Sequence, residues 1–301
     1  MKKLIGLALA GLTLASQGIA EYCGNDCCSD CFGFDSVLTF DVGGGYRNDN
    51  LKWKHHPDDA TSIQEKWSNI GMGIVEANAN FLACEHYLLK ADFDYGWFND
   101  SGHQTYKVFD TDVLTDDWKA KVRGNVYDIS GGVGYQFNFD CYRASLAPLV
   151  GYSYQYQRFK SHKYRDILDE GSDSEFFKNT YTYRWRGPWV GAAFVWQPCC
   201  DWLLFFDYAF HWSRLRAKID EHFLLGQRAA TLKFNTAYGN EFTVGANYVF
   251  CDWWFMGVKF NYKQFWANKG CLHGHEDEDD SRTRDLDWIS YNVTLDIGYT
   301  F

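Results

Sequence analysis

Proline is scarce in this chain, with four in 301 residues, and no apolar run anywhere is long enough to cross a bilayer as a helix. Few prolines means few interruptions to a β-ladder, and the missing long runs exclude a bundle of membrane helices. A basic excess is absent as well. The net charge is −10, or −12 (−10 − 2) without Lys2 and Lys3, so nucleic acid is not an expected partner. No Leu-Ala-Gly-Cys box precedes Cys23, which argues against a lipoprotein. The paired-knuckle cysteine spacing of a zinc ribbon is also missing, and no metal or other cofactor is expected.

What is present points to strands. Aromatic residues make up 19% of the chain, with 27 glycines, and the mean hydropathy is −0.39. The opening MKKLIGLALAGLTLASQGIA has a basic start, a short apolar core and a small-residue site at Gly18-Ile19-Ala20. It reads as a signal peptide cleaved near Ala20, leaving a mature chain that starts at Glu21 in an oxidising compartment.

The last residues alternate strictly. Ile289, Tyr291, Val293, Leu295, Ile297, Tyr299 and Phe301 share one face, and Ser290, Asn292, Thr294, Asp296, Gly298 and Thr300 share the other. This ending resembles the closing strand of bacterial outer-membrane barrels, in which the terminal aromatic, here Phe301, is the assembly signal. The same alternation recurs at 87–97, 127–139, 204–213 and 254–263, with an aromatic face opposite a face of charged and small residues. An apolar band toward lipid around a polar lumen accounts for both faces. The expected fold class is all-β, a transmembrane antiparallel β-barrel of about ten strands (ten to twelve). The segments fall at 36–47, 67–83, 86–98, 125–140, 143–159, 180–197, 202–218, 230–250, 253–266 and 288–301. Short turns at 84–86, 140–143, 198–202 and 250–253 would lie in the periplasm with both termini. Long outer loops would span 48–66, 99–124, 160–179, 219–229 and 267–287. The domain reading is 1–20 signal peptide, 21–35 cysteine-rich periplasmic lead-in and 36–301 barrel.

Ten cysteines occur. Cys84, Cys141, Cys199, Cys200 and Cys251 recur at the four expected short turns, and Cys23, Cys27, Cys28 and Cys31 lie in the lead-in on the same side. All nine are disulfide candidates, within the rim or between molecules. Cys271 alone falls on the outer side. The signal peptide, the lead-in CGNDCCSDCFGFD, the aromatic strands and the terminal Phe together resemble the cysteine-rich porins of the chlamydial outer membrane. That resemblance implies an envelope held by disulfides, with outer-membrane lipid, a disulfide-linked homo-oligomer or other cysteine-rich envelope proteins as partners.

Three functions follow. Inward positions include Lys90, Asp92, Asp94, Asp128, Asp207, His211, Lys259, Lys263 and Asp296, and this mixed lining suits a porin-like channel for ions and small hydrophilic solutes. Small barrels nevertheless tend to fill their interior with side chains. Second, Phe109-Asp110-Thr111-Asp112 and Ile219-Asp220-Glu221-His222 are similar to the Asp-x-Asp and Asp-Glu-His of the omptin family of outer-membrane proteases. That likeness implies Asp220 orienting His222 as base, with Asp110 and Asp112 holding a water. Lys218, close to Asp220, has the wrong sign for the acidic pocket of that family. Third, a structural envelope protein or adhesin would need only the long acidic loops and the cysteines. The run from His273 to Asp280 reads as a solvated loop tip, although histidines beside carboxylates also suit divalent cations.

Overall fold

The computed structural model describes residues 36–301 except 57–60, 112, 140–142, 168–172, 175–178, 200, 222–227, 252 and 274–281. The expected signal peptide and cysteine-rich lead-in, together with Cys141, Cys200, Asp112 and His222, therefore lie outside the described residues.

The described residues form one antiparallel sheet of thirteen strands. In chain order they are β1 (Val37–His56), β2 (Thr61–Ala83), β3 (Tyr87–Phe98), β4 (His103–Asp110), β5 (Val113–Tyr135), β6 (Phe137–Phe139), β7 (Ala144–Asp166), β8 (Asp173–Ser174), β9 (Asn179–Cys199), β10 (Trp202–Glu221), β11 (Arg228–Cys251), β12 (Trp254–His273) and β13 (Arg282–Thr300). They make a barrel of ten staves. β3 and β4 both pair with β2, one above the other, and so form a single interrupted stave. β6 extends the stave of β5, and β8 is a short addition to β7. β13 pairs with β1 along nearly its whole length, which closes the ring. Phe301 completes the closure, exchanging backbone hydrogen bonds with Leu38 in both directions. Among the described residues the ring of ten staves has no open edge.

The staves run well past the segments expected from alternation alone. Most hold 20 to 24 residues, roughly 70 Å of chain, which at barrel tilt is about 55 Å of height against an apolar band of about 25 Å. Among the described residues the expected outer loops are accordingly mostly strand. Described strand covers 48–56 and 61–66 of 48–66, and 103–110 and 113–124 of 99–124. The physical reason lies inside the barrel. Beyond the band, inward residues switch from polar to apolar and pack on one another across the lumen. Trp67, Trp185, Trp288, Phe265, Tyr181 and Tyr183 belong to one buried cluster. Trp67 meets Tyr181 edge-on at 4.9 Å, and Phe265 stacks on Trp288 at 5.1 Å.

Strict period-2 reading misses this core because β-bulges shift the phase. Asn69 adopts φ 56°, and the register of β2 against β1 slips there, so Ile70 and Trp67 both point inward. A second slip, opposite Ser213 and Leu215, does the same for Ala237 and Phe234 on β11.

The outside divides the same way. Around the half bearing the short turns, large apolar residues such as Val42, Phe93, Tyr152, Phe206, Met256 and Leu295 are exposed. This is the surface a bilayer covers. Farther along the strands the outward residues are polar, among them Lys52, Arg123, Arg184 and Arg216. Cutting away a fully buried indole should cost about 3–5 kcal/mol. Trp67→Ala is therefore expected to lower the temperature at which the detergent-solubilised barrel loses its compact, fast-migrating form on gels, while an exposed change such as Lys52→Ala leaves it unchanged.

Candidate functional site

The interior has three levels, set by the register. In the long-hairpin half sits the aromatic core. At mid-height lies a belt of charges. Toward the short turns a cavity of about 450 Å³ remains unfilled.

The belt is built from residues whose strands bring them to one level. Arg47 on β1 donates to Asp49 at 2.9 Å and to Asp128 on β5 at 2.9 Å, and all three are buried. Lys263 on β12 reaches the same Asp128 at 2.9 Å, Glu241 at 3.3 Å and Asp94 at 3.4 Å. His211 lies 3.2 Å from Glu241 through Nε2 and 3.0 Å from Ser153 through Nδ1. Gln157 donates to Asp49. Two cations are thus shared among four carboxylates across the full width of the barrel, so no member can leave without exposing a buried partner. A smaller polar group continues into the core, where Gln104 and Tyr181 both donate to Glu65.

Below the belt the cavity walls carry Lys90 bonded to Asp207 and Lys259 at 2.6 Å from Glu76. Thr294 also donates to Glu76, and Asn78 donates to Asp41. Asp41, Glu76 and Asp296 converge around Gly43, where a Cβ would stand 2.1 Å from the Asp296 carboxylate. Eight carboxylates line the cavity against three lysines, a formal excess of five negative charges (8 − 3). No member of the aromatic core lines it.

All nine residues expected to face the lumen lie on the interior wall, and every one of them borders the cavity. Sequence reading missed Asp41, Arg47, Asp49, Glu65, Glu76 and Glu241. Asp49 and Glu65 lie in 48–66, where the sequence predicts an outer loop. Asp41 and Arg47 share parity with Gly43 and Gly45, a signal available in the sequence and hidden by the glycines. Of the protease candidates, Asp110 is exposed at the end of β4, and Asp220 is held by Lys218 at 2.9 Å near the end of β10. Asp112 and His222 are outside the described residues. Cys84 and Cys199 are free and exposed at the short-turn end. Cys84 and Glu85 occupy the two left-handed positions of a tight hairpin turn, at φ 50° and 61°. Cys251 ends β11 at the same rim, and Cys271 lies near the far end of β12.

A family model described as Protochlamydia outer membrane protein matches residues 41–301. The chain belongs to that family. No curated protein matches it. Among solved structures, the outer membrane protease OmpT from Escherichia coli is similar over 91% of this chain and 99% of its own, with a TM-score of 0.75 at 13% identity. At that identity the likeness shows the fold, a ten-stranded outer-membrane barrel. A major outer membrane protein from Thermus thermophilus (TM-score 0.40, 10% identity, 89% of this chain and 100% of that one) matches more loosely. So does OprG from Pseudomonas aeruginosa (0.38, 8%, 87% and 95%). This member of the Protochlamydia outer membrane protein family is a β-barrel of the bacterial outer membrane.

Removing one side of the belt strands the other. Arg47→Met should cost about 3–5 kcal/mol by leaving Asp49 without its guanidinium and Asp128 with Lys263 alone. Urea unfolding in detergent should show that loss, and Arg47→Met combined with Asp49→Leu should recover part of it.

Proposed function

We propose that the barrel is a narrow, porin-like channel for ions and small hydrophilic solutes, closed in the form described, with its short-turn end toward the periplasm. The observation that carries this reading is the charged cavity. A barrel serving only as a structural element gains nothing by leaving about 450 Å³ of its small interior unfilled and lined with carboxylates. An ion-conducting vestibule needs that space and that charge. The belt and the aromatic core are the barrier to be moved, and the polar group at Glu65, Gln104 and Tyr181 supplies stepping points through it. With five excess negative charges the vestibule favours cations.

The filled long-hairpin half favours a second reading, a structural envelope barrel. The protease reading has the fold likeness behind it, but its one described motif carboxylate near the expected histidine, Asp220, is engaged by Lys218.

Planar-bilayer recording separates the two main readings. A channel gives small, cation-preferring steps with long closed periods, and Asp92→Asn with Asp296→Asn lowers the cation-to-anion permeability ratio. Silence in every salt tested removes the channel and leaves the structural barrel.

Disulfide linkage at the rim is the second part of the proposal. It is supported by the exposed thiols of Cys84 and Cys199 and by the position of Cys251. Membranes prepared with thiol-blocking reagent should show high-mass ladders on non-reducing gels. The ladders should collapse on reduction and thin out in Cys84→Ser and Cys199→Ser. Clean monomers without reductant count against linkage.

A further inference from the structure

The outer face of β7, β9, β10 and β11 carries a group of exposed cations, among them these six: Arg158, Arg184, Arg186, Arg214, Arg216 and Lys233. Several stand directly opposite one another on neighbouring strands. Arg186 faces Arg214, Arg184 faces Arg216, and Arg216 faces Lys233 on its other side. Arg158 stands opposite Thr182, next along β9 from Arg184. Among the described residues none of the six makes an ion pair. The neighbouring acid, Asp220, is already bonded to Lys218. The Arg184 guanidinium lies 5.9 Å over the ring of Tyr156, a cation–π contact that supplies no counter-charge.

Like charges directly opposite on a ladder destabilise it, and here three such pairs are contiguous. An anion between them turns that repulsion into attraction. Arginine pairs in particular present parallel N–H donors to phosphate oxygens, two bonds per guanidinium. The location narrows the choice of anion. Trp212, two residues before Arg214, and Val190, four after Arg186, both belong to the exposed apolar band. The cations begin where the band ends, at the depth of the lipid headgroups. Along each strand the paired rungs repeat every two residues, about 7 Å, room for two phosphates or for one phosphate and a second anionic group.

We propose that this patch binds the phosphate headgroup of an anionic membrane lipid, with the acyl chains lying against the apolar band below. A lipid meets both parts of the surface, whereas a free anion meets only the upper part. The patch is on the outside of the wall, so its occupancy is independent of whether the lumen conducts.

The test uses the full mature barrel in neutral detergent, with phosphatidylglycerol, phosphatidylcholine or inorganic phosphate added, read by native mass spectrometry and by the thermal midpoint. Wild type should retain phosphatidylglycerol through delipidation and gain thermal stability from it, with phosphatidylcholine and inorganic phosphate having little effect. Replacing Arg184, Arg186, Arg214 and Arg216 together by Gln should weaken phosphatidylglycerol binding at least about tenfold. Heat-modifiable migration confirms that this variant has folded. If it does not fold, the pair Arg186→Gln and Arg214→Gln carries the same comparison. Equal retention of the two lipids by wild type, or unchanged phosphatidylglycerol binding in the Gln variant, overturns the proposal. Stabilisation by inorganic phosphate equal to that by phosphatidylglycerol overturns the choice of a lipid and makes the patch a free-anion site.

Discussion

Closure of the sheet is the constraint on which everything else depends. In a bilayer a backbone N–H or C=O without a partner is too costly to leave, so the ladder between β1 and β13, extended by Leu38 and Phe301, must be complete. Once ten staves are closed, the width of the interior is set, and every second side chain must fit inside it. The interior is therefore a packing problem, solved differently at each height.

Outside the membrane the solution is apolar. Tryptophans and tyrosines fill the lumen, and outward lysines and arginines meet water, so this half is built like a soluble core turned outside the bilayer. Within the membrane the wall faces lipid, and the interior is the only place left for polar groups. There the arrangement is charged, with Arg47 and Lys263 shared among Asp49, Asp94, Asp128 and Glu241. The two solutions meet at the belt. The cavity toward the short turns is the part of the interior that neither one fills.

The phase of the strands shows what was legible in the sequence. From 287 to 301 the alternation is unbroken, and its inward residues, Trp288 through Asp296, are those with the even numbers read directly from the pattern. The inward positions of Lys90, Asp92, Asp94, His211, Lys259 and Lys263 were equally readable. The stretches 48–66 and 99–124 were not. They are rich in Lys, Asp and Asn, and left-handed residues break the period, at Asn69 just after the first and at Asp100 and Gly102 within the second. Polar composition with a broken period is also how a loop reads. The strands persist there because inward Trp53 and Val122, like Trp67 beside the first stretch, belong to a core built from strands far away in sequence.

By itself the sequence determined the barrel class, the approximate number of staves, and many of the residues of the membrane half that face the lumen. All of these follow from a period of two and from the spacing of turns, which are local properties. Only the tertiary structure decided how far the staves extend, that the lumen is filled at one end and open at the other, that the charges join into one belt, and that arginines on adjacent strands stand face to face. Each of these depends on the register between strands. Register is fixed by closure and by bulges, and it appears only when residues such as Arg47, Asp128 and Lys263, far apart in the chain, arrive at the same height.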